Sequence, residues 1–175
     1  QVWEGVRDAS SFGPLPLQKR GFEAIGGAGT TTPMSEDCLT LNISAPLKTS
    51  GKLKPVVVWI YGGGFSLGGS RSPLYRGNHL VEDGDVVYVS FNYRVALFGF
   101  ADFSRWGTVE SPIDTNLGLR DQIAALTWVQ QNIRAFGGDP DRVTIFGQSA
   151  GAACVTYLMC VPAAHGLFCL LYTSP

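Results

Sequence analysis

Two stretches of the chain are apolar at nearly every position. Val56-Val57-Val58-Trp59-Ile60-Tyr61 and Val86-Val87-Tyr88-Val89-Ser90-Phe91 show no polar alternation, and β-branched and aromatic residues dominate them, as in strands covered on both faces within a parallel sheet. A different period takes over between Leu119 and Phe136. There Ile123, Leu126, Val129 and Ile133 recur at helical spacing while Arg120, Gln122, Gln130 and Gln131 fall on other faces, which predicts a helix that Gly137-Gly138 stops. Asp139-Pro140-Asp141 reads as a turn, Val143-Thr144-Ile145-Phe146 as a short buried strand, and 150–159 as a second helix. Residues 39–44 form a candidate strand of an antiparallel edge, and 13–33 a loop. Strand, crossover helix, strand, helix is the rhythm of an α/β sheet. No repeat, low-complexity tract or linker divides the chain.

Composition narrows the choice of function. With 175 residues, 45% of them hydrophobic and 15% charged, the chain has material for one buried core. Its 13 Lys plus Arg nearly balance 14 Asp plus Glu, so no field of one sign recruits nucleic acid or anionic lipid, and neither is an expected partner. No apolar run has the length of a bilayer span, and Gln1-Val2-Trp3-Glu4 lacks the pattern of a signal peptide, which leaves localisation unassigned. The cysteines Cys38, Cys154, Cys160 and Cys169 match neither a disulfide-dense scaffold nor a zinc site, and no metal or cofactor is expected. Asn42-Ile43-Ser44 is a glycosylation sequon, but it falls in a candidate strand, where modification is not expected.

The pattern Gly-x-Ser-x-Gly occurs twice, at Gly64-Phe65-Ser66-Leu67-Gly68 and at Gly147-Gln148-Ser149-Ala150-Gly151. Its chemical meaning depends on a strand before it and a helix after it, because a sharp turn between them lifts the serine hydroxyl above the sheet. Ser149 has both neighbours. Ser66 has only the strand, since Gly68-Gly69-Ser70-Arg71-Ser72-Pro73 cannot start a helix. An ordinary strand-to-helix turn could also hold a serine, so a second element matters. Gly62-Gly63-Gly64 directly follows the first apolar run, and its amides would leave the same carboxyl edge as Ser149, where they and the Ala150 amide could stabilise an oxyanion. A phosphate-cradling loop would need a Lys-Ser or Lys-Thr after the glycines, and Phe65 stands there instead.

Taken together, Ser35-Glu36-Asp37-Cys38-Leu39, 55–65, Asn92-Tyr93-Arg94-Val95, Phe98-Gly99-Phe100, Asn116-Leu117-Gly118-Leu119-Arg120-Asp121-Gln122 and 137–151 resemble the type-B carboxylesterase family. That family also holds cholinesterases, fungal lipases and the non-catalytic neuroligin-like adhesion proteins. The resemblance implies an α/β fold of the α/β-hydrolase type, with residues 1–175 as the N-terminal part of one such domain and therefore a truncated sheet. It implies a serine carboxylic ester hydrolase working through an acyl-enzyme, with a small-molecule ester as its partner. Ser149 is then the nucleophile, and Gly63, Gly64 and Ala150 donate to the oxyanion. Gly62, Phe65, Leu67 and Gln148 are the candidate substrate-binding residues, with Gly62 beginning the turn and Phe65 and Leu67 lining an acyl pocket. An ion pair between Arg94 and Asp121 is implied as structural.

Several positions depart from the family pattern. No cysteine stands near Phe12-Gly13-Pro14-Leu15-Pro16-Leu17-Gln18 to bond Cys38, so Cys38 is expected to be unpaired or atypically paired. No tryptophan lies between Ser10 and Cys38, which disfavours choline esters. Gln148 occupies a place where many relatives have glutamate, and residues 169–175 fit the pattern poorly. The acid and histidine of a triad follow the serine in this fold and are expected outside these residues. His165 lies only 16 residues after Ser149, and His79 is expected in a polar loop, so neither is expected to act as base. On this reading the 175-residue polypeptide itself is inactive. An adhesion protein on the same scaffold is the alternative, and the retained Ser149 weighs against it.

Overall fold

The computed structural model describes residues 5–6, 8–20, 31–47 and 51–174. Among the described residues, five strands form one sheet. Along the chain the strands and α-helices are β1 (Leu41–Ser44), β2 (Lys54–Ile60), α1 (Asn78–Gly84), β3 (Val87–Phe91), α2 (Ala96–Phe100), α3 (Leu117–Asn132), β4 (Gly138–Gln148), α4 (Ala150–Cys160) and β5 (Leu170–Ser174), and the strand order in the sheet is β1-β3-β2-β4-β5. Only β1 runs antiparallel to its neighbour, pairing Leu41 with Phe91, as expected for an edge strand. The remaining pairs are parallel.

The two apolar runs behave differently once folded. Every residue of β3 is buried, in keeping with a strand covered on both faces. In β2, Val56, Val58 and Ile60 are buried while Val57 and Trp59 are only partly covered, so the expectation of full cover on both faces fails there. The reason lies in the layers. On one face, Leu126, Val129 and Ile133 of α3 and its exit join Cys154, Val155 and Leu158 of α4 to cover Val56, Val58, Ile60, Val143 and Ile145. Each such side chain contributes about 1.5–3 kcal/mol by leaving water. On the other face, Trp59 packs against the rings of Tyr75 and Phe146, at centroid distances of 5.3 and 4.9 Å, and stays partly exposed.

The expected helix over 119–136 is α3, which starts two residues earlier and tightens into a 3-10 turn at Ile133–Phe136 before Gly137 takes a φ of 81°. Asp139-Pro140-Asp141 does not precede the next strand as a separate turn. It lies within β4 as a bulge, because Lys54 pairs with Gly138 while Val56 pairs with Val143. Turn chemistry survives inside the bulge, where the Asp141 N–H donates to Asp139 Oδ1 at 3.1 Å. His79 is not in a loop but in α1, a seven-residue helix whose only buried residue is Val81 and whose periodic signal is correspondingly faint. Within 169–175, the stretch that fits the family pattern poorly, Leu170–Ser174 form β5, which lies parallel to β4.

Two side-chain expectations are settled by packing. Asn42 Nδ2 donates to Ser70 Oγ at 2.9 Å and to Ser90 Oγ at 3.3 Å, so the sequon's amide is engaged inside the fold. All four cysteines are free thiols, and Cys38 and Cys154 are buried. Arg94 and Asp121 form the implied ion pair. Nε and Nη2 of Arg94 donate to the carboxylate at 2.8 and 2.7 Å and the Arg94 N–H adds a third bond at 3.0 Å, tying the segment after β3 to α3.

Candidate active site

Strands β2 and β4 end side by side, with Ile60 opposite Gly147, and the chain leaves each by a different kind of turn. After β4 the turn is the sharper. Ser149 has φ 56° and ψ −126°, a conformation that an L-residue adopts only where its surroundings enforce it, at a strain of about 1–3 kcal/mol. Two glycines provide the necessary clearance. A β-carbon on Gly147 would lie 2.6 Å from the Gly151 carbonyl carbon and 2.8 Å from Ile60 O, and one on Gly151 would collide with Ile60 O. Strand and helix therefore meet backbone to backbone, and Ser149 is left exposed at the N-terminal end of α4.

After β2 the backbone enters residues 62–68. Gly63, Gly64, Phe65 and Gly68 all have positive φ, and the turn closes on itself as the N–H groups of Ser66 and Leu67 both donate to Gly63 O at 3.1 Å. Gly62 touches the other turn directly. A β-carbon there would stand 2.5 Å from Gln148 O and 3.0 Å from Ser149 Cβ. Among the described residues, the N–H groups of Gly63, Gly64 and Ala150 have no hydrogen-bond acceptor, whereas that of Ser149 donates to Ser174 O at 3.1 Å. Ala150 opens α4, so the positive end of that helix adds to its unused donor.

A tyrosine pair braces the strand end beneath this loop. Tyr61 and Tyr93 stack at 4.3 Å and exchange bonds, Tyr61 OH donating to Tyr93 O at 2.9 Å and Tyr93 OH to Tyr61 O at 2.6 Å. Burial pushes both phenols well above their usual titration range, so they remain donors. Sequence reasoning had no signal for this pair, since each tyrosine reads as one more apolar strand residue.

The structure brings Ser149, Gly62, Gln148 and Ala150 together, with Gly63 and Gly64 in the adjoining turn. Phe65 is half-buried against Phe100, at 5.1 Å, and Tyr157, at 6.4 Å, and its carbonyl accepts from Ala96 N–H at 2.7 Å. Leu67 folds back so that its carbonyl covers the Gly63 α-carbon. Neither histidine joins them. His165 follows the C-terminal end of α4, whose eleven residues span about 16 Å from Ser149, and His79 is in α1. Among the described residues, no hydrogen bond links the Ser149 hydroxyl to an imidazole or a carboxylate, and no group of three or more His, Cys, Asp or Glu is arranged to hold a metal. Among those residues, no helix is long and apolar enough to cross a membrane.

A mostly parallel sheet with a serine on a strand-to-helix turn beside a glycine loop defines an α/β-hydrolase fold, and comparison with solved structures agrees. A thermophilic PNB esterase superimposes with a TM-score of 0.90 at 46% identity, covering 98% of this chain and 34% of that one. A carboxylesterase of Geobacillus stearothermophilus gives a TM-score of 0.85, also at 46% identity, over 98% of this chain and 34% of that one. The model of the carboxylesterase family matches residues 1–170, and the chain belongs to that family. Among its relatives, the para-nitrobenzyl esterase of Bacillus subtilis is 47% identical over 96% of this chain and 33% of its own length. Carboxylesterase 3B of Mus musculus is 45% identical over 96% of this chain and 29% of its own length. The chain thus spans about a third of the length of the relatives it matches.

Proposed function

We propose that this chain carries the nucleophile and oxyanion half of a carboxylic ester hydrolase. Ser149 Oγ attacks the ester carbonyl carbon, the alcohol leaves, and water then hydrolyses the acyl-serine. Gly63, Gly64 and Ala150 N–H stabilise the oxygen that becomes negative, and Gly62, Phe65, Leu67 and Gln148 contact the substrate, Phe65 and Leu67 on its acyl side. The observation that supports this most is the set of unused donors at Gly63, Gly64 and Ala150 at the strand ends where Gly62 abuts Ser149. Donors in such a position do nothing for the fold and much for a developing oxyanion, each contributing about 3 kcal/mol to lowering the barrier.

Residues 1–175 are, on this reading, the N-terminal part of a single α/β-hydrolase domain. The exposure of Leu170, Leu171 and Tyr172 on β5 supports it, since strands of a parallel sheet are normally covered on both faces. The general base and the acid that orients it come from outside these residues. The esterase names of the relatives do not favour an adhesion role. The test is covalent labelling with a fluorophosphonate. In the catalytically complete domain the label is expected on Ser149, to be lost in Ser149→Ala, while the 175-residue polypeptide alone turns over no chromogenic short-chain ester. Modification of another serine, or equal labelling of Ser149→Ala, would refute the assignment.

A further inference from the structure

The loop after β2 has an anchor far from it in sequence. Gln18, 50 residues earlier, meets the backbone of Gly68 in both directions: Gly68 N–H donates to Gln18 Oε1 at 2.8 Å, and Gln18 Nε2 donates to Gly68 O at 2.8 Å. This is how a neighbouring strand would pair with Gly68, supplied by a side chain. Nε2 also donates to Pro16 O at 3.2 Å, which fixes the amide plane from its own side.

Gly68 in turn lies against the entrance of the loop. A β-carbon on it would stand 2.5 Å from Tyr61 Cδ2 and 2.7 Å from Gly62 O. Because the Gly62–Gly63 peptide is planar and trans, Gly63 N–H points opposite to Gly62 O. Whatever fixes the side to which that carbonyl turns also fixes the aim of the Gly63 donor. Between these two points the turn is closed by the bonds to Gly63 O and tethered at its middle by the Ala96 N–H on Phe65 O at 2.7 Å, which leaves Gln18 as the side-chain hold on its exit.

We propose that Gln18 is a positioning residue for ester hydrolysis, clamping Gly68 so that the Gly62–Gly63 peptide holds its donor ready for the oxyanion. The inference rests on the assignment of Ser149 and the glycine loop made above. Gln18 touches no reacting atom, and its removal leaves the nucleophile and the donors in the chain but lets the loop rock.

The experiment uses the catalytically complete domain, with para-nitrophenyl acetate as substrate. Gln18→Ala is expected to lower kcat on the order of 10- to 100-fold, as roughly 1 Å of misplacement does, with little change in KM. The Gly68 amide is expected to exchange faster with solvent. Gln18→Glu gives a readout that a merely structural role would not move. Its carboxylate accepts from Gly68 N–H but opposes Gly68 O, whereas the protonated acid serves both. Its activity relative to wild type at the same pH is therefore expected to rise from pH 8 towards the carboxyl titration, ordinarily near pH ~4.3.

Gln18→Ala with kcat within about twofold of wild type, in a background where Ser149→Ala abolishes turnover, overturns the proposal. If Ser149→Ala still turns over, the nucleophile assignment falls instead. In that case, unchanged Gly68 exchange in Gln18→Ala overturns the clamp separately.

Discussion

Substituting alanine at Gly62 and at Gly64 separates steric contact between the two halves of the site from backbone strain within one of them. At Gly62 the added methyl would stand 2.5 Å from Gln148 O and 3.0 Å from Ser149 Cβ, where ordinary contact begins near 3.4 Å. Neither obstacle is the free end of a flexible side chain, so the loop and the serine turn must separate by roughly 1 Å, a displacement worth on the order of 100-fold in rate. The accompanying overpacking costs about 1–3 kcal/mol of stability. At Gly64 the methyl meets open space, but φ is +60°, so the expected loss is about 1–2 kcal/mol of stability, with the donor N–H left where it was. Steady-state turnover of a chromogenic ester by the complete domain, with urea melts alongside, distinguishes the two. Gly62→Ala is expected to lose kcat at least about tenfold more than Gly64→Ala at similar stability. Equal kcat values would refute the claim that Gly62 sets the spacing between Ser149 and the glycine loop proposed to hold the oxyanion.

Other expectations follow from the buried groups. The side chain of Asp121 is 5% exposed and that of Arg94 32%, so Arg94→Ala strands a carboxylate and is expected to cost about 3 kcal/mol in urea unfolding, at the low end for a buried pair because the guanidinium still meets water. Ellman's reagent is expected to modify Cys160 and Cys169 in the native chain, and Cys38 and Cys154 only on unfolding. Burial raises the Cys38 and Cys154 thiols above 9.0, so the fold favours their neutral forms. That contribution is complete below pH 9 and is lost as pH rises from 9 towards the folded values. The decline of unfolding free energy between pH 9 and 10 is accordingly expected to be shallower in a Cys38→Ala, Cys154→Ala variant, and an unchanged slope would count against this origin.

Much of the scaffold was legible because its signals are local. Continuous apolar runs give β2 and β3, a 3.6-residue period gives α3, and one glycine-flanked serine between a strand and a helix gives the elbow. The elements that escaped notice lack such signals. α1 buries only Val81, α2 is five residues long, and the bulge at 139–142 depends on where β4 meets Lys54, which no window along the chain contains. The site divides in the same way. Ser149 and the glycines are visible as a motif, whereas the Tyr61–Tyr93 exchange and the Gln18 clamp join residues 32 and 50 positions apart through groups that look unremarkable in isolation.

The exposed serine and the strained backbone follow from one packing arrangement. Gly147 and Gly151 let β4 and α4 touch Ile60 O, and that approach leaves the intervening residue no room for an ordinary β or helical conformation, so Ser149 adopts φ 56°. Strain of this kind persists only if the surroundings over-determine it, and here they do: β2 and β4 are in register up to Ile60 and Gly147, while the Ala153 N–H fastens Ser149 O to the first turn of α4 at 3.0 Å. Relaxing the turn would disturb the strand pairing or the helix start. A fold concerned only with stability would place glycine at 149, where positive φ is free of penalty. A serine there sacrifices some stability and keeps a hydroxyl at the start of α4, close to N–H groups that have no acceptor among the described residues, the kind of local inconsistency that the proposed function accounts for by chemistry rather than folding.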